Sequence, residues 1–193
     1  MRLKNLEIEV EGVYEPREDS FLLAEVVERE AFGDVLDMGT GSGIQALVAA
    51  KNAKRVVGVD VNGKAVEVAR KNAERNHINN VEFFRSDLFE NVSGKFDLII
   101  FNPPYLPEEV GMYEGSEQWA GGKSGREVIE RFANKVKNYL KDGGKILIVI
   151  SSLTGLEEVK KIFAERGFSV KVVREQKIPW ETLYVLKMEK LKI

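Results

Sequence analysis

Residues 101–107 read FNPPYLP, so an apolar run that should be a buried strand stops in an asparagine, two prolines and a tyrosine. Two adjacent prolines fix their own φ at about −65° and push the residue before each out of the helical region, which holds Asn102 and Pro103 extended. Such stiffness also suits an ordinary strand terminator. Its chemical use is different. The Asn102 side-chain oxygen and the Pro103 backbone carbonyl form a fixed pair of acceptors for the two hydrogens of an amide or exocyclic NH2. Tyr105 would add a flat surface for a planar group, and Pro104 would stiffen the pair.

Three other stretches carry suggestive residue types. Asp37-Met38-Gly39-Thr40-Gly41-Ser42-Gly43 is a glycine-rich turn, in which missing side chains let a ligand lie against the backbone; glycines also serve tight strand-to-helix packing. Its spacing is GxGxG, not the GxGxxG of dinucleotide enzymes. Asp60 can accept two hydrogen bonds from a ribose diol, or act as an acid near the start of the helix that follows Asn62. Asp87, in Ser86-Asp87-Leu88, can accept an adenine amino proton while Leu88 covers the ring, or it can be a solvent-facing turn residue.

The elements around these stretches decide what they can share. VLDM (35–38), RVVGVD (55–60), VEFFRSD (81–87), FDLIIF (96–101), KILIVI (145–150), FSVKVVRE (168–175) and TLYVLKM (182–188) read as strands. GIQALVAAKNA, KAVEVARKNAERN, REVIERFANKVKNYL and LEEVKKIFAERG place apolar residues at helical spacing. Strand alternating with helix predicts an α/β fold, a doubly wound and mostly parallel sheet of seven strands. No helix separates the last two strands, so one of them should run antiparallel at or near the edge. The stretch 106–125 is long for a connection and is expected to be functional or mobile.

Open parallel sheets bind ligands beyond the carboxyl ends of their strands. Here the glycine turn, the ribose acid, the adenine acid and the rigid tetrapeptide fall in order on four consecutive strand ends. The GxGxG spacing suits a pyrophosphate poorly, and no Walker-type GK[ST] sits in a phosphate loop. The ligand these features predict is S-adenosylmethionine, leaving as S-adenosylhomocysteine.

With DMGTGSG and NPPY the chain resembles a class I, Rossmann-like methyltransferase of the HemK-like protein-glutamine N5-methyltransferase family. The resemblance is to its short archaeal and eukaryotic branch, which acts on class 1 release factors. It extends through Val13-Tyr14-Glu15-Pro16-Arg17-Glu18-Asp19-Ser20, similar to that branch's N-terminal cofactor-covering segment. It also takes in Trp119-Ala120-Gly121-Gly122-Lys123-Ser124-Gly125-Arg126-Glu127 and Glu181-Thr182-Leu183. It implies a single domain over 1–193; bacterial members carry a helical domain for which the 36 residues before Asp37 leave no room. It implies cofactor binding by Ser20, Asp37, Gly39, Gly41, Gly43, Asp60, Asp87, Leu88 and Asn102, and catalysis by Asn102, Pro103, Pro104 and Tyr105, without a metal. It further implies a release-factor substrate and a heterodimer with a small zinc-binding activator protein. NPPY is shared with adenine-N6 methyltransferases, so DNA or RNA remains an alternative substrate, as does a partner-binding protein with a structural nucleotide.

Composition narrows the choice. Lys+Arg 29 against Asp+Glu 31 gives a net charge of −2 and no global attraction to a polyanion. Glu108, Glu109, Glu114 and Glu117 precede Lys123 after Tyr105, an acidic rim that makes nucleic acid the weaker alternative. The chain has no cysteine, so disulfides and thiolate metal sites are excluded. The N-terminus lacks an apolar stretch of signal-peptide length, and a cytoplasmic protein without a membrane span is expected. His77, the one histidine, reads as a solvated helix-end residue; Trp119 is expected near the site, and Trp180 has no assigned place.

Overall fold

The computed structural model describes residues 2–3, 5–105 and 123–192. A short hairpin, β1 (Arg2–Leu3) with β2 (Leu6–Glu7), leads to α1 (Glu18–Glu30). The alternating region follows as β3 (Asp34–Met38), α2 (Ile44–Ala49), β4 (Arg55–Asp60), α3 (Gly63–Arg75), β5 (Val81–Arg85) and β6 (Phe96–Phe101). From residue 123 onward come α4 (Glu127–Val136), β7 (Leu140–Ser151), α5 (Leu156–Ala164), β8 (Phe168–Ile178) and β9 (Glu181–Lys190).

Seven strands form one sheet in the order β5-β4-β3-β6-β7-β9-β8. The first five are parallel neighbours; β9 runs antiparallel between β7 and β8. The antiparallel strand thus lies next to the edge, and the edge itself is β8. This placement follows from the short connection at Pro179-Trp180, which can only fold β9 back along β8.

Side chains alternate between two cores. Val35, Leu98, Ile100, Leu147 and Val149 face α1 to α3, whereas Leu36, Met38, Ile99, Phe101, Ile146 and Ile148 face α4 and α5. Burial on both faces is why FDLIIF is apolar without a break. Phe132 of α4 packs on Phe101, ring centroids 4.7 Å apart, and fixes the last residue of β6 before the sequence turns to Asn102.

The strand and helix segments expected from Asp34 onward are all present, although α2 is shorter and β7 longer than read. The hairpin and α1 were not expected. The α1 sequence carries Leu22, Leu23, Val26 and Val27 on a single buried stripe, a helical signal lying inside a segment read only as a cover. His77 sits exposed just beyond the end of α3 with φ +55°, in agreement with its helix-end reading. Trp180 is 97% exposed at the β8–β9 turn. No helix among the described residues is long and apolar enough to cross a membrane.

Candidate active site

The ends of β3, β4, β5 and β6 line one cavity of about 880 Å³, and the segment from Val13 to Ser20 with the start of α1 forms a further wall. Gly39, Gly41, Asp60, Asp87, Leu88 and residues 102–105 all line it, as does Ser20. Asp37 and Gly43 do not.

Asp37 lies on the face of β3 covered by α1 and α2, and is 1% exposed. Its Oδ2 accepts from Thr40 Oγ1 at 2.7 Å and from the Ala46 amide at 3.1 Å, so it ties the glycine turn to the first turn of α2. Burial pushes its carboxyl up to about 7 against the pull of those hydrogen bonds, with Asp60 adding to the rise. Gly43 has φ +84°, and a Cβ there would stand 3.1 Å from Ala69 Cβ, so its role is close packing on α3. Gly41, φ +54°, is different. A Cβ there meets nothing within 4 Å, leaving bare backbone facing open space.

Asp60 Oδ2 accepts from the Gly41 amide at 3.0 Å, and Oδ1 accepts from the Asn62 amide at 2.9 Å. Asn62, not Asp60, caps α3 through its side chain. Burial raises the Asp60 carboxyl, and its backbone donors oppose that rise. At the next strand end Ser86 Oγ donates to the Leu88 carbonyl at 2.8 Å and accepts from the Asn91 amide at 3.0 Å. Those bonds hold Leu88 at φ +49°, a conformation a leucine adopts only under constraint. Asp87 pairs with Arg131 of α4 at 2.8 Å, through one carboxylate oxygen.

The tetrapeptide is braced from both sides. Asn102 Nδ2 donates to Asp19 Oδ2 at 3.1 Å and to Ser20 Oγ at 3.3 Å, and Tyr105 O–H donates to the same Asp19 oxygen at 3.0 Å. On the far side Thr154 Oγ1 donates to the Tyr105 carbonyl at 3.0 Å, while Arg126 Nη1 holds the Thr154 carbonyl at 2.7 Å. Ser151 Oγ donates to Glu181, another cavity residue. Burial, then the Asp19 charge, raises both the Tyr14 and Tyr105 phenols, which therefore remain protonated donors.

Asp19, Tyr14, Thr154 and Arg131 had no assigned role in the sequence reading. Asp19 and Glu181 do lie within segments that carried the family resemblance. Trp119 and Glu108, Glu109, Glu114 and Glu117 lie outside the described residues.

The cavity's charge and its unused polar atoms test what it can hold. Glu18, Asp19, Asp60, Asp87 and Glu181 line it against Arg17 and Arg131, an acidic balance that suits a cation and opposes a pyrophosphate. Ser42 Oγ and Gln45 Oε1, both buried residues of its wall, have no hydrogen-bond partner among the described residues. Buried polar groups are normally paired, so these atoms fit a ligand's polar end. Together with bare Gly41 and the two strand-end carboxylates, they suit a cationic nucleoside such as S-adenosylmethionine.

Comparison with known proteins agrees with this chemistry. The family model described as "Methyltransferase small domain" matches residues 15–177. A Methanocaldococcus jannaschii protein that carries a protein N5-glutamine methyltransferase name is 45% identical over 192 residues, covering 93% of this chain and 96% of that one. Human methyltransferase HEMK2 is 33% identical over 193 residues, covering 92% of this chain and 90% of the relative. Among solved structures, the E. cuniculi Mtq2–Trm112 complex, responsible for methylating the eRF1 translation termination factor, gives a chain with TM-score 0.74 and 31% identity, with 92% of this chain and 98% of that one covered.

Proposed function

The chain belongs to the methyltransferase small domain family, within its protein-glutamine N5-methyltransferases, and on that basis we propose that it methylates the side-chain nitrogen of a glutamine in a peptide-chain release factor. The observation that carries the proposal is the placing of Asn102, Pro103 and Tyr105 on the same cavity as Gly41, Asp60 and Leu88. S-adenosylmethionine, when bound, supplies a methyl group activated by its sulfonium.

Gly41, Asp60, Asp87 and Leu88 would hold the nucleoside end, through bare backbone, the ribose hydroxyls, the adenine amine and the ring face respectively. Ser20, Ser42 and Gln45, which line the same cavity, would meet its amino-acid end. Asp37 and Gly43 act one step back, by keeping the turn in shape.

A glutamine side-chain nitrogen is a poor nucleophile because its lone pair is delocalised. Asn102 Oδ1 and the Pro103 carbonyl accept its two hydrogens, which fixes the nitrogen in line with the methyl carbon. As positive charge grows on nitrogen, both acceptors strengthen, so they favour the transition state over the ground state. The nitrogen forms the new N–C bond as the methyl–sulfur bond breaks and its electron pair stays on sulfur, leaving a neutral thioether, and the nitrogen gives up one proton to solvent. The prolines keep both acceptors from relaxing, and the Tyr105 ring packs against the planar amide.

The acidic lining supports a protein substrate over a nucleic acid, whose affinity rests mainly on cationic contacts to phosphate. A release factor is met in the cytoplasm, where the proposal places the reaction. Trm112 accompanies the Mtq2 chain in the similar structure, and the proposal includes a small zinc-binding activator as partner. Asn102→Ala tests the catalytic assignment. Methyl transfer should fall on the order of 100-fold or more while calorimetric cofactor binding persists. Unchanged transfer would remove Asn102 from the mechanism, and loss of cofactor binding alone would make it a ligand contact.

A further inference from the structure

Asp19 is a 5% exposed carboxylate surrounded by donors, and nothing in the reaction as described uses it. Its Oδ1 accepts from the Tyr14 hydroxyl at 2.9 Å, the Ser20 amide at 2.6 Å and Ser20 Oγ at 3.2 Å. Its Oδ2 accepts from Asn102 Nδ2 at 3.1 Å and the Tyr105 hydroxyl at 3.0 Å. A carboxylate has about four lone-pair sites, and these are filled from within the protein. Asp19 is therefore spent as a base or as a ligand contact. What it retains is control over its donors.

That control matters most at Asn102. The two ends of an asparagine amide have nearly the same shape, so packing alone does not choose between them. Their chemistry is opposite. One orientation offers the target NH2 an acceptor, and the flipped one meets it with a second NH2. A carboxylate accepts only, so an amide beside it must turn Nδ2 inward. Asn102 Oδ1 is left outward, and it accepts no hydrogen bond from the described residues. Hydroxyl neighbours alone would not enforce this, because a hydroxyl satisfies either orientation. Tyr105 is set by the same oxygen, so one side chain of α1 orients both the acceptor and the flat surface at the end of β6.

We propose that Asp19 is a positioning residue for the methyl transfer: its carboxylate fixes the flip of the Asn102 amide and the tilt of the Tyr105 ring. The proposal rests on the glutamine-methyltransferase reading for its consequence, but the flip itself is a property of the protein alone.

Two measurements separate these levels. In the 15N spectrum of the complete protein, the Asn102 side-chain NH2, identified by its loss in Asn102→Ala, should be protected from exchange with water. It should lose that protection in Asp19→Asn. An Asn102 amide that exchanges freely in the unsubstituted protein overturns the proposal, whether or not any methyl transfer is detected and whether or not the variant folds. In single-turnover assays Asp19→Asn should lower the transfer rate on the order of 10-fold to 100-fold, with cofactor affinity kept within about 3-fold. The exchanged pair, Asp19→Asn with Asn102→Asp, restores a donor at position 19 facing an acceptor at 102, and should recover part of the lost rate. An exchanged pair no faster than Asp19→Asn, or an equal loss of cofactor affinity and rate, would make Asp19 merely structural. Protection in the spectrum with no transfer by the unsubstituted protein would leave the positioning in place and defeat the proposed function.

Discussion

Asp60 Oδ2 and the Gly41 amide are 3.0 Å apart, so the end of β4 holds the turn that leaves β3. The carboxylate proposed to meet a ribose also holds the glycine turn on which the nucleoside would lie. Asp60→Ala removes both contributions. Hydrogen bonds to a charged group contribute about 1.5–3 kcal/mol each, so cofactor affinity should fall at least about 10-fold by calorimetry. An unchanged dissociation constant would contradict the strand-end account of binding.

Gly41 and Gly43 should separate by experiment, although both have positive φ. Alanine costs about 1 kcal/mol in such a conformation at either position. At Gly41 the added methyl projects into open space and should weaken the cofactor by at least about tenfold, with only that small loss of stability. At Gly43 it meets Ala69, and denaturant unfolding should show a further loss of about 1–3 kcal/mol. The reverse pattern would mean that the ligand lies against Gly43.

Asp37 gives the fold a definite pH dependence. Its carboxyl is raised from 3.8 to about 7, so the protonated form is favoured in the folded state. The resulting stability is present below about pH 4 and is lost as pH rises through 7. Asn at this position does not ionise. Between about pH 5 and pH 8 the stability of Asp37→Asn relative to the unsubstituted protein should therefore rise by about 2 kcal/mol. A relative stability that stays flat or falls over that range would show that Asp37 carries its charge in the folded protein.

The strand ends were legible because parallel strands buried on both faces leave unbroken apolar runs, and the polar residues that stop them stand out. Asp37 and Gly43 were grouped with the ligand contacts because they share a motif with Gly39 and Gly41. The alternation of β3 puts Asp37 on the face of Val35, toward α1 and α2, and only packing shows how completely that face is covered. Asp19 was legible as part of a resembling segment but not as a partner of Asn102, since 83 residues separate them and the fold alone brings them together. The expected acidic rim after Tyr105 falls outside the described residues, but the cavity's acidic lining points the same way.

The two aimed acceptors of Asn102 and Pro103 are proposed to serve a glutamine in a protein. Labelled methyl transfer to a purified release factor, to its variant with the target glutamine replaced by alanine, and to adenine-containing DNA and RNA tests it most directly, with the small activator protein present and absent. Label should appear on the unsubstituted factor alone, as N5-methylglutamine. Label on the nucleic acids with none on the factor would contradict it and assign the same acceptors to an adenine amine.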